Sequence, residues 1–206
     1  MYIPEFNRIE DRATAVAFMK ENPFAILVSS SEGSLVATHL PLLVKEVGGK
    51  IVLRGHFAKA NHHWSSVEQE ESLVIFHGPH AYISPSLYEI RESVPTWNYA
   101  TVHVYGRGKL IRDMADAERV LADLIAQFDP SYYRQWLTFS EEYRDKMLRR
   151  IVAFEFEARR VETKFKLGQN RTQAEQDNLI QSLQSSADTA VAGLAALMRQ
   201  QKLGSS

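Results

Sequence analysis

The amino-acid sequence predicts a mostly β fold, a small antiparallel barrel with peripheral helices. Three observations carry that expectation. About seven segments have strand character. The early ones follow one another through glycine-containing turns, as in a meander. Helices come late, without the regular strand–helix alternation of a doubly wound sheet. A β-sandwich is the alternative architecture. The chain's 206 residues suit one domain with a small appendage.

Residues 11–20 predict a short helix capped by Asp11, with Val16, Phe18 and Met19 on its apolar side and Asn22-Pro23 as its stop. Phe24–Ser29 reads as a strand and Glu32-Gly33 as a turn. Leu35–Val44 is extended, with Pro41 marking an edge or a bulge. Gly48-Gly49 turns the chain into the strand Lys50–His56. A break is expected at Gly55, then a helix over 59–68 with Ala60, Trp64 and Val67 on one side. Ser72–Phe76 is strand-like, Gly78-Pro79 reads as a turn and His80–Ser84 as a further strand. Residues 85–98, with Pro85 and Pro95, read as an ordered loop. Tyr99–Ile111 is the longest strand, bent or bulged at Gly106 and Gly108. Asp116 is expected to cap a helix carrying Ala117, Val120, Leu121, Leu124, Ile125 and Phe128, stopped by Asp129-Pro130. Residues 131–148 continue in helical pattern. In the last strand, 150–161, Val152, Phe154, Phe156 and Ala158 form the expected core face. The Gln-, Ser- and Ala-rich tail spaces Ile180, Leu183, Ala187, Ala190, Leu194 and Leu197 by threes and fours. That predicts a helix laid on the barrel or on a partner subunit.

Composition narrows the chemistry. With no cysteine, disulfide scaffolds and all thiolate chemistry are excluded. The net charge of -1 gives no strong global attraction to nucleic acid, though a local basic patch or basic surfaces on a dimer remain open. No apolar run is long enough to span a bilayer, and Met1–Glu5 lacks a signal-peptide pattern, so a cytoplasmic protein without membrane attachment is expected. All seven histidines fall between His39 and His103, together with Trp64 and Trp97; that window is where a site is expected.

Within the window, Arg54, His56, Lys59 and Asn61 lie where a strand gives way to a predicted helix, a setting that suits a phosphate; a turn with solvated charges is the plainer reading. The glycine spacing of a P-loop is missing. Thr38-His39-Leu40-Pro41 lies on an interrupted strand whose free backbone groups can meet the edge of a flat ring such as a flavin, or simply form an edge. His62-His63 and the pair His77 and His80 raise a metal, but neither has a recognisable third ligand at metal-site spacing, and no metal is expected. Haem through one histidine stays open. Ser84, Ser86 and His80 lack a nucleophile elbow. Trp97-Asn98-Tyr99 suggests an aromatic wall, for a ring, an interface or the core. Arg159, Arg160, Lys164, Lys166 and Arg171 make a basic end that suits a phosphate, nucleic acid or plain solvent. No DNA-binding motif accompanies it.

Taken together, Ala37-Thr-His-Leu-Pro41, the Arg54–Trp64 stretch, Gly78-Pro-His-Ala-Tyr-Ile-Ser-Pro85, Val94-Pro-Thr-Trp-Asn-Tyr99, Val102-His-Val-Tyr-Gly106 and Lys164-Phe-Lys-Leu-Gly-Gln-Asn170 resemble the PaiB family of FMN-binding negative transcriptional regulators, over roughly residues 1–200. The family commonly has Ser where this chain has Gly168. The resemblance implies an FMN-binding split β-barrel over residues 1–170, similar to pyridoxamine 5'-phosphate oxidase, with a helical extension over 171–206. It implies FMN as cofactor and a homodimer whose two sites are shared between subunits. By position, Thr38, His39 and Leu40 look like the strand beside the flavin ring. Arg54, His56, Lys59 and Asn61 look like the phosphate and ribityl end. Trp97 and Asn98, with His103, look like a wall supplied by the other subunit, and Lys164, Lys166, Gln169 and Asn170 like a closing segment. The resemblance further implies DNA as a partner. The alternatives are an FMN-dependent oxidoreductase acting on a small substrate, with the flavin supplying the redox chemistry, and a haem-handling barrel. No catalytic residue is assigned. The pyridoxamine phosphate oxidases carry a C-terminal tryptophan and arginine at their substrate, and this chain has no tryptophan after Trp136, which argues against that exact reaction.

Overall fold

The computed structural model describes residues 1–203 except 32 and 91; the expected turn residue Glu32 lies outside the described residues. Its elements are α1 (Arg12–Glu21), β1 (Phe24–Ser31), β2 (Ser34–Pro41), β3 (Leu43–Val47), β4 (Lys50–Ala58), β5 (Ser72–Ile83), β6 (Thr96–Leu110), α2 (Met114–Phe128), α3 (Pro130–Trp136), α4 (Glu141–Leu148), β7 (Ile151–Lys166), α5 (Gln173–Gln184) and α6 (Thr189–Leu203). The strands form one sheet in the order β2-β1-β5-β6-β7-β4-β3. Its edge strands β2 and β3 are consecutive in the chain and joined through Leu42 alone. A sheet whose edges are one residue apart must curl, which gives the open, split-barrel topology. The pairings of β1 with β2 and β5, and of β4 with β3 and β7, are antiparallel.

The chain divides into two compact units. One comprises Val16–Phe76 and His103–Val161. Its interior is filled by Leu27, Leu53, Phe57, Val74, Phe76, Val104, Phe154 and Phe156, all fully buried. Helix α2 lays Ala117, Val120 and Leu124 against Leu43, Leu148 and Ala153. Gly48 and Gly49, at φ +56° and +77°, make the two-residue β3–β4 turn, for which both positions need left-handed backbone. The other unit comprises Met1–Ala15, His77–Val102 and Glu162–Ser206. Here α5 and α6 form a helical hairpin that buries Leu179, Ile180 and Leu183 with Leu194, Ala195 and Met198. Thr172 opens α5 with a capping box: its hydroxyl accepts from Glu175 N, and the Glu175 carboxylate accepts from Thr172 N.

Several local expectations are corrected. The chain does not break at Gly55: β4 runs to Ala58, and a Cβ there would crowd Leu42 Cδ2 at 2.6 Å and the Pro41 carbonyl oxygen at 3.3 Å. The helix expected over 59–68 is only a 3-10 turn at His62–Ser65, capped by Asn61. Val67 is drawn instead onto β6, where Gly108 N donates to its carbonyl at 2.9 Å. Gly78-Pro79 is not a turn but lies inside the twelve-residue strand β5. Residues 96–98 belong to β6 rather than to a loop. Asp113, not Asp116, caps α2, accepting from Asp116 N at 2.9 Å. The tail is two helices, not one. In β7, Phe154 and Phe156 are buried as expected, while Val152 and Ala158 are only half-buried.

Candidate functional site

The candidate residues fall into two groups, one in each unit. In the barrel unit, β2 is an edge strand, and Thr38, His39 and Leu40 pair with Leu27, Ile26 and Ala25 of β1. Alternation buries Leu40 and turns His39 outward beside the exposed Phe24 ring, with centroids 6.0 Å apart. Thr38 is half-buried in a small polar network. Asn61 Nδ2 donates to Thr38 Oγ1 at 3.1 Å, and Thr38 Oγ1 lies 2.8 Å from His63 Nδ1. His63 N donates to Asn61 Oδ1 at 3.1 Å. His63 is only 3% exposed and rests on the Phe57 ring, 5.4 Å between centroids. Its Nε2 is buried with no hydrogen-bond partner, and burial holds the imidazole below its ordinary pKa.

Arg54 and His56 share one face of β4. The Arg54 guanidinium is held by Glu155 of β7, with Nε and Nη2 at 2.8 and 2.7 Å from Oε2. His56 Nδ1 is buried without a partner, and burial again depresses its pKa. Lys59 is exposed, and its backbone donates to the Arg150 carbonyl at 2.8 Å and accepts from Trp64 Nε1 at 3.1 Å. His103 stands on β6 beside Tyr105, at 6.3 Å.

In the other unit, Trp97 and Asn98 are neighbours on β6 and so face opposite ways. Trp97 is 54% exposed, whereas Asn98 is 1% exposed with its Nδ2 unpartnered. Trp97 lies edge-on to the exposed Tyr82 at 6.0 Å and tilted against His80 at 6.1 Å, and His80 meets His77 at 4.8 Å. Burial, aided by the nearby His80 charge, lowers the His77 pKa. Lys166 Nζ donates to the carbonyl of Trp97 at 2.8 Å and to Thr96 Oγ1, so it fixes the backbone that carries the indole. Partial burial, then the Lys164 charge, lowers its pKa. Lys164, 7% exposed, donates to Tyr2 O at 3.1 Å and lies over the Tyr99 ring at 5.1 Å. Gln169 braces its own turn, accepting from Leu167 N and donating to Phe165 O, while Asn170 is exposed. Gly168, at φ +82°, is the one residue type that takes that backbone without strain.

Sequence reasoning found Thr38 and Asn61 but not His63 between them. The available signal was the Asn61-x-His63 spacing, which lets an asparagine carbonyl accept the amide two residues on. Tyr82 and His80 as flanks of Trp97 were hidden by the turn expected at Gly78-Pro79. Among the described residues there is no cluster of three or more His, Asp or Glu side chains that could hold a metal, and no helix is long and apolar enough to cross a membrane.

In the unit that carries Trp97, an exposed indole and phenol are available for stacking, and Asn98 Nδ2 is buried without a partner among the described residues. In the barrel unit, His56 Nδ1 and His63 Nε2 are likewise buried without a partner among the described residues. Comparison with known proteins identifies the family. The family described as "Putative FMN-binding domain" matches residues 1–160. The Bacillus subtilis "Protease synthase and sporulation protein PAI 2" is 34% identical over 201 residues, 96% of each chain. Among solved structures, the flavocytochrome Anf3 of Azotobacter vinelandii superposes with a TM-score of 0.64 at 14% identity, covering 81% of this chain and 73% of its own. The FAD- and haem-binding protein of Mycobacterium smegmatis does so at 0.62 and 14%, covering 79% and 74%. These two likenesses show the fold.

Proposed function

Since the chain belongs to the PaiB family of FMN-binding split-barrel proteins, we propose that it binds FMN as a homodimer and acts as a negative transcriptional regulator. The observation that carries the FMN reading is the exposed Trp97–Tyr82 pair on a backbone pinned by Lys166, a preorganised stacking surface next to a cationic group. In this reading Thr38, His39 and Leu40 run beside the ring, and Arg54, His56, Lys59 and Asn61 take the phosphate and ribityl end. Trp97, Asn98 and His103 come from the second subunit, and Lys164, Lys166, Gln169 and Asn170 close over the ligand. FMN, when bound, supplies reversible two-electron chemistry; the chain's own residues bind it, orient it and exclude water. A dimer would also cover the edge strand β2, where Leu35 is exposed, and the exposed Phe24 of β1 beside it.

Titration of the purified protein with FMN tests this. A bound flavin band near ~450 nm is expected, and Trp97→Ala should weaken affinity about 2- to 10-fold, the value of one aromatic contact. Lys146→Ala, on α4, should leave affinity unchanged. A protein that neither carries nor takes up FMN overturns the reading, and a Soret band instead supports haem. Regulation predicts promoter-DNA binding that falls steeply with salt; no DNA binding with or without FMN would remove it.

A further inference from the structure

We propose that His63, acting with Asn61, fixes the Thr38 hydroxyl as a hydrogen-bond acceptor, so that position 38 selects a ligand ring edge that presents an N–H. The ligand half of this rests on the FMN reading, which places Thr38 beside the ring; the arrangement of protons does not.

The proton arrangement follows from the donors that have no choice. The backbone N–H of His63 can only donate, so the atom of Asn61 facing it at 3.1 Å must be the carbonyl Oδ1. That orients the amide and turns Nδ2 toward Thr38 Oγ1, at 3.1 Å. An amide nitrogen also only donates, so Thr38 accepts there. The Thr38 hydrogen then needs an acceptor, and the Nδ1 lone pair of His63 lies 2.8 Å away. If Nδ1 carried the proton instead, Thr38 would accept twice and its own hydrogen would have no partner in the network. Burial of His63 disfavours the doubly protonated ring, which would impose that second state. The resulting state is a neutral His63 with hydrogen on Nε2, Thr38 donating to Nδ1, and one Thr38 lone pair left over.

That lone pair is what position 38 offers a ligand. It matches a ring N–H and clashes electrostatically with a bare ring nitrogen. An oxidised flavin presents N–H only at N3, while its N5 is an acceptor. His63 is therefore a positioning residue: it acts on the ligand through the Thr38 hydroxyl.

Two measurements test this on the full-length protein. Nitrogen-15 spectra of the imidazoles, without ligand, should show His63 at neutral pH with Nδ1 unprotonated and Nε2 protonated; a protonated Nδ1 overturns the proposal. FMN affinity should then be measured for His63→Phe, Thr38→Val and the double variant, each first shown to be folded by circular dichroism. Each single variant should weaken binding about 5-fold, the value of one hydrogen bond. The double variant should be no weaker than either single one, and His63→Asn, which restores a polar group at the Nδ1 position, should recover most of the loss. Additive effects, or no effect of Thr38→Val, overturn the proposal. If the wild-type protein binds no FMN, the ligand half falls with the FMN reading, and the tautomer still decides the proton arrangement.

Discussion

His56 is half-buried and His63 buried, and each has a buried ring nitrogen without a partner among the described residues. Burial depresses both pKa values from an ordinary 6.5. The unfolded chain therefore binds protons at a higher pH than the folded chain does. Stability from these two residues is fully present above about pH 6.5 and is lost as pH falls from there through the folded pKa values. The urea midpoint should thus drop between pH 7.5 and pH 5.5, and His63→Phe, which keeps a ring on Phe57, should flatten that slope. A slope unchanged by the variant would show that His63 is not a source of it. At this scale the sequence was partly legible. The residue types at Thr38 and Asn61 advertise hydrogen bonding, but a histidine reads the same buried or exposed. What made His63 part of the network was its position over Phe57, a contact between β4 and the turn that follows it.

The strands and helices were legible where their information is local. The Gly48-Gly49 turn, the amphipathic pattern of α2 and the branched run of β4 each specify their own backbone. The errors lie where a distant contact decides. Gly78-Pro79 spells a turn locally, yet β5 passes straight through it. A Cβ at Gly193 of α6 would come within 3.3 Å of Pro79, so the proline ring packs tightly against that helix. Gly55 spells a break, yet it is the place where β4 makes room for Leu42. Gly106 gives the sharpest test at the element scale. A Cβ there would meet the carbonyl oxygen of Glu157 at 2.2 Å and the Phe156 ring at 2.9 Å. The first of these is backbone and cannot rotate away. Gly106→Ala should therefore destabilise by about 3 kcal/mol, the upper range for overpacking, measured by urea unfolding. Gly48→Asn, at a turn position that tolerates left-handed asparagine, should cost less than about 0.5 kcal/mol.

At the scale of the whole molecule, the sequence carried the family and the barrel, since motifs spread from Ala37 to Asn170 all have to fit one fold. The proposed pairing with a second chain is less legible, because an exposed Trp97 or Leu35 is compatible with several partners. Thermodynamic linkage separates the two. A ligand that binds only the folded state stabilises it by about 2.7 kcal/mol when present at one hundred times its dissociation constant. For a chain of this length, about 2–4 °C of melting temperature accompanies each kcal/mol. FMN at that excess should therefore raise the melting temperature by about 5–10 °C. If each site also borrows Trp97 from a second subunit, FMN and the second chain assist each other's binding. Dilution of the protein below its dimer dissociation constant should then weaken FMN binding, and saturating FMN should shift sedimentation toward the dimer. An affinity that stays constant across that dilution would show that one chain holds the flavin alone. In a mixed dimer of wild-type and Trp97→Ala chains, the about 2- to 10-fold weakening would then fall on the site of the mutated chain itself, whereas a shared site would place it on the site of the wild-type partner.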